Sequence, residues 1–273
     1  PWPNQATGWQ KFNPVSTIST ISCATVSNAY GGMINRIRVN GKVLVDPSAT
    51  PDDTPSISTR ILASSQSGFS ISKWQGAGAN ATVAHGCGAT PLVYFVKSLD
   101  NTENWEVLSP LLGTNAMDVG YLNATDAFTN DYSETPTDLI IGRRSGDADG
   151  ENMIAYCFAP VAGYSAFGKY TSNNLADGPF IHTGFQPKIV AWKNMSAAHG
   201  WYIYDDERNS YNPMSKYLSW HHPAIAEGDP GGVMDILSNG FKVRNQGSDM
   251  NASSHVILYM AWAEHPFKNA RAR

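Results

Sequence analysis

The chain has 273 residues, 42% of them hydrophobic but only 15% charged, and a net charge of −4. Ordinary soluble domains carry roughly 25% charged residues, so Ser, Thr, Asn and Gly supply the polar surface here, a mixture that suits β-structure better than a cytosolic helical enzyme. The one basic cluster is the terminal Arg271-Ala272-Arg273, and no apolar stretch approaches the roughly 18 residues of a membrane span, which argues against nucleic-acid binding and against membrane insertion.

The first residues, Pro1-Trp2-Pro3-Asn4, have neither the charged nor the apolar region of a signal peptide, and a start at Pro1 without a methionine reads as a processed piece of something longer. Ile37-Arg38-Val39 and Lys42-Val43-Leu44-Val45 flank Asn40-Gly41, whose residues tolerate the positive φ of a type I′ turn, so this segment reads as a hairpin. Asp46-Pro47 through Pro55 carries Pro and Asp and reads as a linker. Beyond it, short apolar runs predict strands near 68–75, 80–85, 92–97, 104–108, 118–123, 138–143 and 152–159. A second series falls near 163–171, 179–183, 188–193, 200–204, 215–219, 233–237, 240–245 and 255–263, with an Asn239-Gly240 turn between two of its members. No stretch keeps a 3.6-residue apolar period for three turns, so little helix is expected.

The two series are similar to each other. Gly88-Ala89-Thr90-Pro91 through Lys97 returns as Gly184-Phe185-Gln186-Pro187 through Lys193, an offset of 96 (184 − 88) that also carries Trp105 onto Trp201 and Tyr121 onto Tyr217. Ile154–Ala159 answers Leu258–Ala263 at an offset of 104 (258 − 154). What recurs is apolar and turn residues, with no recurring acid, base or nucleophile, so the repeat reads as architecture. The expected fold is all-β, a tandemly duplicated antiparallel β-sandwich (jelly-roll or lectin-like) with little helix. Its parts are a β-region at 1–46 closing a preceding sandwich, a linker and lead-in strand at 47–67, repeat 1 at 68–162, and repeat 2 with a tail at 163–273. Two packed sandwiches compete with one larger jelly roll, and Trp105 and Trp201 read as equivalent core residues. Cys23, Cys87 and Cys157 are odd in number and lack metal-ligand spacing, so a disulfide framework is not expected and Cys157 reads as a buried thiol.

Ala155–Ala159, Gly163-Tyr164-Ser165, Phe167–Thr171, Asp177-Gly178-Pro179-Phe180, Thr183–Pro187, Arg208-Asn209-Ser210-Tyr211-Asn212-Pro213, Ser238–Lys242 and Ala263-Glu264-His265-Pro266-Phe267 together resemble a β-rich domain of bacteriophage tail-fibre and other virion proteins, of marine and cyanobacterial phage type. The resemblance runs from about Gly68 to Lys268, and the hairpin at 36–46 resembles the closing strands of a sandwich that precedes such domains. It implies a structural or adhesive component of the virion surface, of tail-fibre or surface-decoration type, assembled in the host cytoplasm. Its expected partners are other copies of itself, most simply a homotrimer, other virion proteins, and a host receptor or glycan. The resemblance brings no catalytic residue and no cofactor. The alternatives are a glycan-degrading tailspike-type enzyme and a non-viral carbohydrate-binding adhesin module.

Three local patterns bear on chemistry. Asp147, Asp149 and Asn152 imitate the start of a calcium loop, but the bidentate Glu of the twelfth position is Phe158, so a hairpin turn is the plainer reading. Asp205-Asp206-Glu207-Arg208 is the densest acidic cluster; paired carboxylates could serve a glycosidase, against a solvated or Arg-paired turn. The segment 205–232 is long and irregular and has almost no counterpart in repeat 1. Tyr217, Trp220, His221 and His222 within it are therefore the candidate ligand or receptor contacts, with packing as the competing reading.

Overall fold

The alternating and continuous apolar runs become antiparallel strands, and among the described residues no helix forms. The computed structural model describes residues 37–39, 42–45, 55–111, 117–132, 136–143, 149–222, 227–229, 231–247 and 249–264. The chain divides into two units, Pro1–Thr50 and Pro51–Arg273. In the first, β1 (Ile37–Val39) pairs antiparallel with β2 (Lys42–Val45), Val39 opposite Lys42. The expected turn residues Asn40 and Gly41 lie outside the described residues.

The second unit begins with β3 (Arg60–Ser64), β4 (Phe69–Gln75), β5 (Ala81–Ala84), β6 (Val93–Ser98), β7 (Glu106–Ser109), β8 (Met117–Tyr121), β9 (Thr129–Tyr132), β10 (Ile140–Arg143) and β11 (Asn152–Phe158). It continues with β12 (Ser165–Thr171), β13 (Phe180–His182), β14 (Ile189–Asn194), β15 (Trp201–Asp205), β16 (Leu218–Ser219), β17 (Met234–Leu237), β18 (Gly240–Val243) and β19 (Val256–Trp262). Four sheets result. Their orders are β3-β4-β11-β6-β7-β8-β9, β5-β10, β12-β19-β14-β15-β16 and β13-β18-β17.

Three apolar clusters stack these sheets in layers. Trp74, Tyr94, Leu108, Met153 and Cys157 of the seven-stranded sheet meet Val83 and Ile141 of the β5–β10 pair. On its other face, Val93, Phe95 and Val107 meet Phe167, Ala191, Trp201, Ile203 and Met260 of the five-stranded sheet. The far face of that sheet, with Tyr170, Val190, Trp192, Tyr204 and Ile257, packs on Ile181, Met234, Ile236, Phe241 and Val243 of the three-stranded sheet. Both central sheets are thus covered on both sides. That is why Val93-Tyr94-Phe95-Val96 and Val190-Ala191-Trp192 are continuous apolar runs: a strand buried on both faces has no solvent side to mark with polar residues.

The two central sheets are wired alike. Tyr94 faces Leu108 and Val190 faces Tyr204; Phe95 faces Val107 and Ala191 faces Ile203. Cys157 lies between Ser70 and Tyr94, and Ala261 between Ala166 and Val190. These partners stand at the offsets of 96 and 104 seen in the sequence. β5–β10 and β13–β18 are also antiparallel pairs on the outer faces, at other offsets.

Some local expectations change. β3 falls within 47–67, where a lead-in strand is expected, whereas β9 forms in a polar stretch, Thr129-Asn130-Asp131-Tyr132, that carries no apolar alternation; both are outer strands of the seven-stranded sheet. The turn between β17 and β18 is Ser238-Asn239, one residue earlier than expected. Gly240 instead opens β18, where a Cβ would stand 2.0 Å from the Ile181 carbonyl oxygen, so glycine permits the close pairing with β13. Trp201 is wholly buried, whereas Trp105 precedes β7 and is only half-buried.

Candidate functional site

Segment 205–232 splits between the two ends of β15. After Asp205 the chain turns through 206–213 and returns beside β15 as β16, with Ile203 opposite Leu218 and Tyr202 opposite Ser219. Trp220, His221 and His222 therefore lie at the Trp201 end, and the acidic turn lies at the other.

At the acidic end every carboxylate is engaged. Asp205 accepts from the Arg208 backbone N–H (2.8 Å) and from Arg208 Nε (3.1 Å), and Arg208 Nη1 reaches Glu227 (3.2 Å). Lys216 also meets Glu227 (3.2 Å), and Lys188 spans Asp206 (2.9 Å) and Glu207 (2.7 Å). The Lys188 hydrogen bond and charge hold Glu207 below the usual carboxylate range, and Lys216, then Arg208, do the same for Glu227. This is the ion-paired turn.

The same turn is braced by two asparagines. Asn209, nearly buried, accepts from the backbone N–H groups of Ser215 (2.9 Å) and Lys216 (2.8 Å) and donates to the Lys216 carbonyl (2.7 Å). Asn212 behaves as a strand neighbour would, donating to the Ile236 carbonyl (2.8 Å) and accepting from the Ile236 N–H (2.9 Å). The Asn212-Pro213 peptide is cis. Between the two asparagines Tyr211 stands 88% exposed, more than any other large hydrophobic residue described. Sequence reasoning passed over Tyr211; the available signal was its place between two asparagines in an Asn-Pro turn, where side-chain amides bond readily to backbone.

The sequence-predicted residues sit elsewhere, and three of the four pack. Tyr217 is half-buried, edge-on to Tyr202 at 4.9 Å and tilted to Tyr204 at 5.9 Å, while its backbone exchanges hydrogen bonds with Gly228 (2.9 and 3.0 Å). Trp220 lies on the opposite face of β16, edge-on to Phe95 (5.9 Å) and tilted to Trp201 (5.8 Å), and keeps 36% of its surface exposed. His221 Nδ1 accepts from the Trp201 N–H (3.0 Å) and contacts Ser219 Oγ (2.7 Å). Its ring fills the space that a side chain at Gly200 would need, since a Cβ there would stand 1.7 Å from His221 Cε1. Burial, and to a lesser degree His222 and Lys193, pull the His221 pKa below the usual imidazole value against the raising effect of the Trp201 backbone contact. His222 is exposed and edge-on to His221 at 6.1 Å.

This end also gathers groups that sequence spacing did not connect. Asp249 accepts from Tyr202 Oη (2.9 Å) and pairs with His199 Nδ1 (2.8 Å). Asn194 Nδ2 lies 3.0 Å from His255 Nδ1 and 2.9 Å from the Asp249 carbonyl. Lys193, fully buried, donates to the carbonyls of Asn194 (2.7 Å) and Thr125 (3.2 Å), and burial lowers its pKa to about 8. Trp201 Nε1 donates to the Tyr121 carbonyl (2.8 Å), joining the two central sheets at this end.

Of the calcium-loop residues, Asp147 lies outside the described residues and Asp149 is exposed in a turn. Asn152 opens β11 and gives both its backbone N–H (2.7 Å) and its side-chain amide (3.1 Å) to Asp100. Among the described residues no group of three His, Cys, Asp or Glu side chains is placed to hold a metal ion.

Residues 45–266 match the sequence profile of a domain of unknown function, DUF7483. The chain belongs to that family. The DUF7483 match covers both central sheets and both ends of β15, together with β2 only at its last residue. No curated protein and no solved structure matches the chain.

Proposed function

We propose that this DUF7483 protein is a structural component of a phage virion surface, of tail-fibre or decoration type, whose work is rigidity and contact. The motifs that resemble virion fibre domains support the reading. So does the build of the second unit: stacked β-layers with three apolar cores and a braced turn that presents Tyr211 to solvent. Extra layers beyond the two of a simple sandwich stiffen a module without requiring disulfides. A rigidly held, exposed tyrosine offers contact area at little rotamer cost, which suits a receptor or glycan face. Tyr211 carries this part of the reading, with Trp220 and His222 as the exposed candidates at the other end. Mass spectrometry and antibody-gold labelling of purified particles test it. The chain should be found on the particle surface, and particles that lack it, from cells that make the protein, would refute the reading.

A further inference from the structure

Cys87 and Cys157 are 70 residues apart in the chain, yet they meet in the core between the seven-stranded sheet and the β5–β10 pair. Cys157 is a β11 residue; Cys87 lies in the segment that leaves β5. The Cys87 thiol donates to the Cys157 carbonyl oxygen (3.6 Å), and its sulfur stands 3.1 Å from Ser70 Oγ, the residue paired with Cys157 across β4 and β11. Both are free. His85 frames the site: its Nδ1 accepts from the Cys87 N–H (3.1 Å) and its Nε2 lies 3.2 Å from the Thr137 carbonyl.

We propose that Cys87 and Cys157 form one oxidation site, which a peroxide closes into a disulfide tying the β5–β10 layer to the seven-stranded sheet. The two sulfurs differ in the way this chemistry needs. Hydrogen bonding from Cys157, with Ser70 adding to it against the effect of burial, holds the Cys87 pKa below the ordinary thiol value. Burial, then Cys87, push Cys157 up. Cys87 is therefore the thiolate that attacks and Cys157 the thiol that resolves. In the first step the Cys87 thiolate attacks one peroxide oxygen; the O–O bond breaks, hydroxide leaves and takes up the proton that Cys87 released on ionising, giving water, and Cys87 becomes a sulfenic acid. In the second the Cys157 sulfur attacks the Cys87 sulfur; the S–S bond forms, the S–O bond breaks, and hydroxide leaves as water with the Cys157 proton. The pair loses two electrons and hydrogen peroxide is reduced to two waters. Gly86 and Gly88 beside Cys87 are exposed while its own surface is 1% exposed, so the oxidant must be small and the closure slow. Closing asks two sulfurs held in one buried cluster beside Ser70 to approach to about 2 Å.

The test uses the full chain carrying Cys23→Ser, since Cys23 lies outside the described residues and could cross-link chains. After hydrogen peroxide the intact mass should fall by two hydrogens, and digestion should give one peptide pair joined through Cys87 and Cys157. The thermal midpoint should rise by roughly 5–10 °C, as expected for closing a loop of this length, and dithiothreitol should reverse the rise. With Cys157→Ser added, a dimedone adduct should appear on Cys87. Two thiols that stay free to alkylation in the unfolded, peroxide-treated protein would overturn the proposal, as would separate sulfinic acids without a cross-link. The peptide map on the parent chain decides even where the Cys157→Ser protein does not fold.

Discussion

Replacing Trp220 and Tyr211 separately by alanine distinguishes packing from display. Trp220 is 36% exposed, so about two-thirds of its surface is removed from water on folding. For a tryptophan of about 250 Å² that is roughly 160 Å², or about 4 kcal/mol at 25 cal/mol per Å². Alanine retains a little of this, and the unfolded chain already buries a part, which brings the expected loss to about 2–3 kcal/mol. The edge-on contact with Phe95 and the tilted contact with Trp201 keep it toward the upper figure. In a unit of this size the thermal midpoint should fall by roughly 4–12 °C. Tyr211, 88% exposed, should give a change within about 0.5 kcal/mol and a midpoint within about 2 °C of the parent. Differential scanning calorimetry measures both, and glycan-array or host-adsorption binding is read on the same samples. Trp220→Ala with an unchanged midpoint would refute the packing argument. Tyr211→Ala with a normal midpoint and full binding would remove Tyr211 from the contact surface.

Two further outcomes follow from the same geometry. Asn209→Ala removes two acceptor bonds and one short donor bond from a nearly buried site, so about 2–3 kcal/mol should be lost and amide exchange should quicken at Ser215 and Lys216; protection equal to the parent would show that the turn does not depend on this side chain. Lys193 has a folded pKa of about 8 against 10.5 unfolded, so the unfolded chain binds more protons between these values and stability should rise with pH there, by at most about 3 kcal/mol. Buried Tyr170, Tyr202 and Tyr204, whose pKa values burial raises, oppose the rise near pH 10 and above, so the measurement is the difference in denaturant midpoint between parent and Lys193→Met from pH 7.5 to 10; a constant difference would show that Lys193 does not titrate in this window. The proposed virion role, by contrast with the geometry, carries the expectation that multi-angle light scattering at micromolar concentration gives a closed oligomer, most simply a trimer, and a stable monomer would remove it.

The candidate site was less legible than the strands because exposure and partners depend on residues far away in sequence. Tyr217 and Trp220 are both aromatic residues in one irregular segment, yet one meets Tyr202 and Tyr204 and the other meets Phe95 of the neighbouring sheet. Tyr211 is set apart locally only by its place in the Asn209–Pro213 turn, and its exposure follows from having no layer above it. His221 reads as a ligand by type, but its Nδ1 is occupied by the Trp201 backbone and its ring by the space over Gly200.

Strand positions, the scarcity of helix and the shared wiring of the central sheets lie in the sequence itself, because period and offset are properties of neighbouring or recurring residues. Val93–Val96 and Ile189–Lys193 announce their strands by composition alone. Which sheet covers which face could not be read there. A continuous apolar run states that both sides are buried without naming the partners, and only tertiary packing set Phe95 against Trp201 and brought Cys87 from its turn to Cys157. The end of β15 that collects His199, Asp249 and His255 was hidden for the same reason, since contacts across 50 or more residues leave no periodic trace, whereas β9 was hidden because Thr129-Asn130-Asp131-Tyr132 is a polar edge strand without apolar alternation.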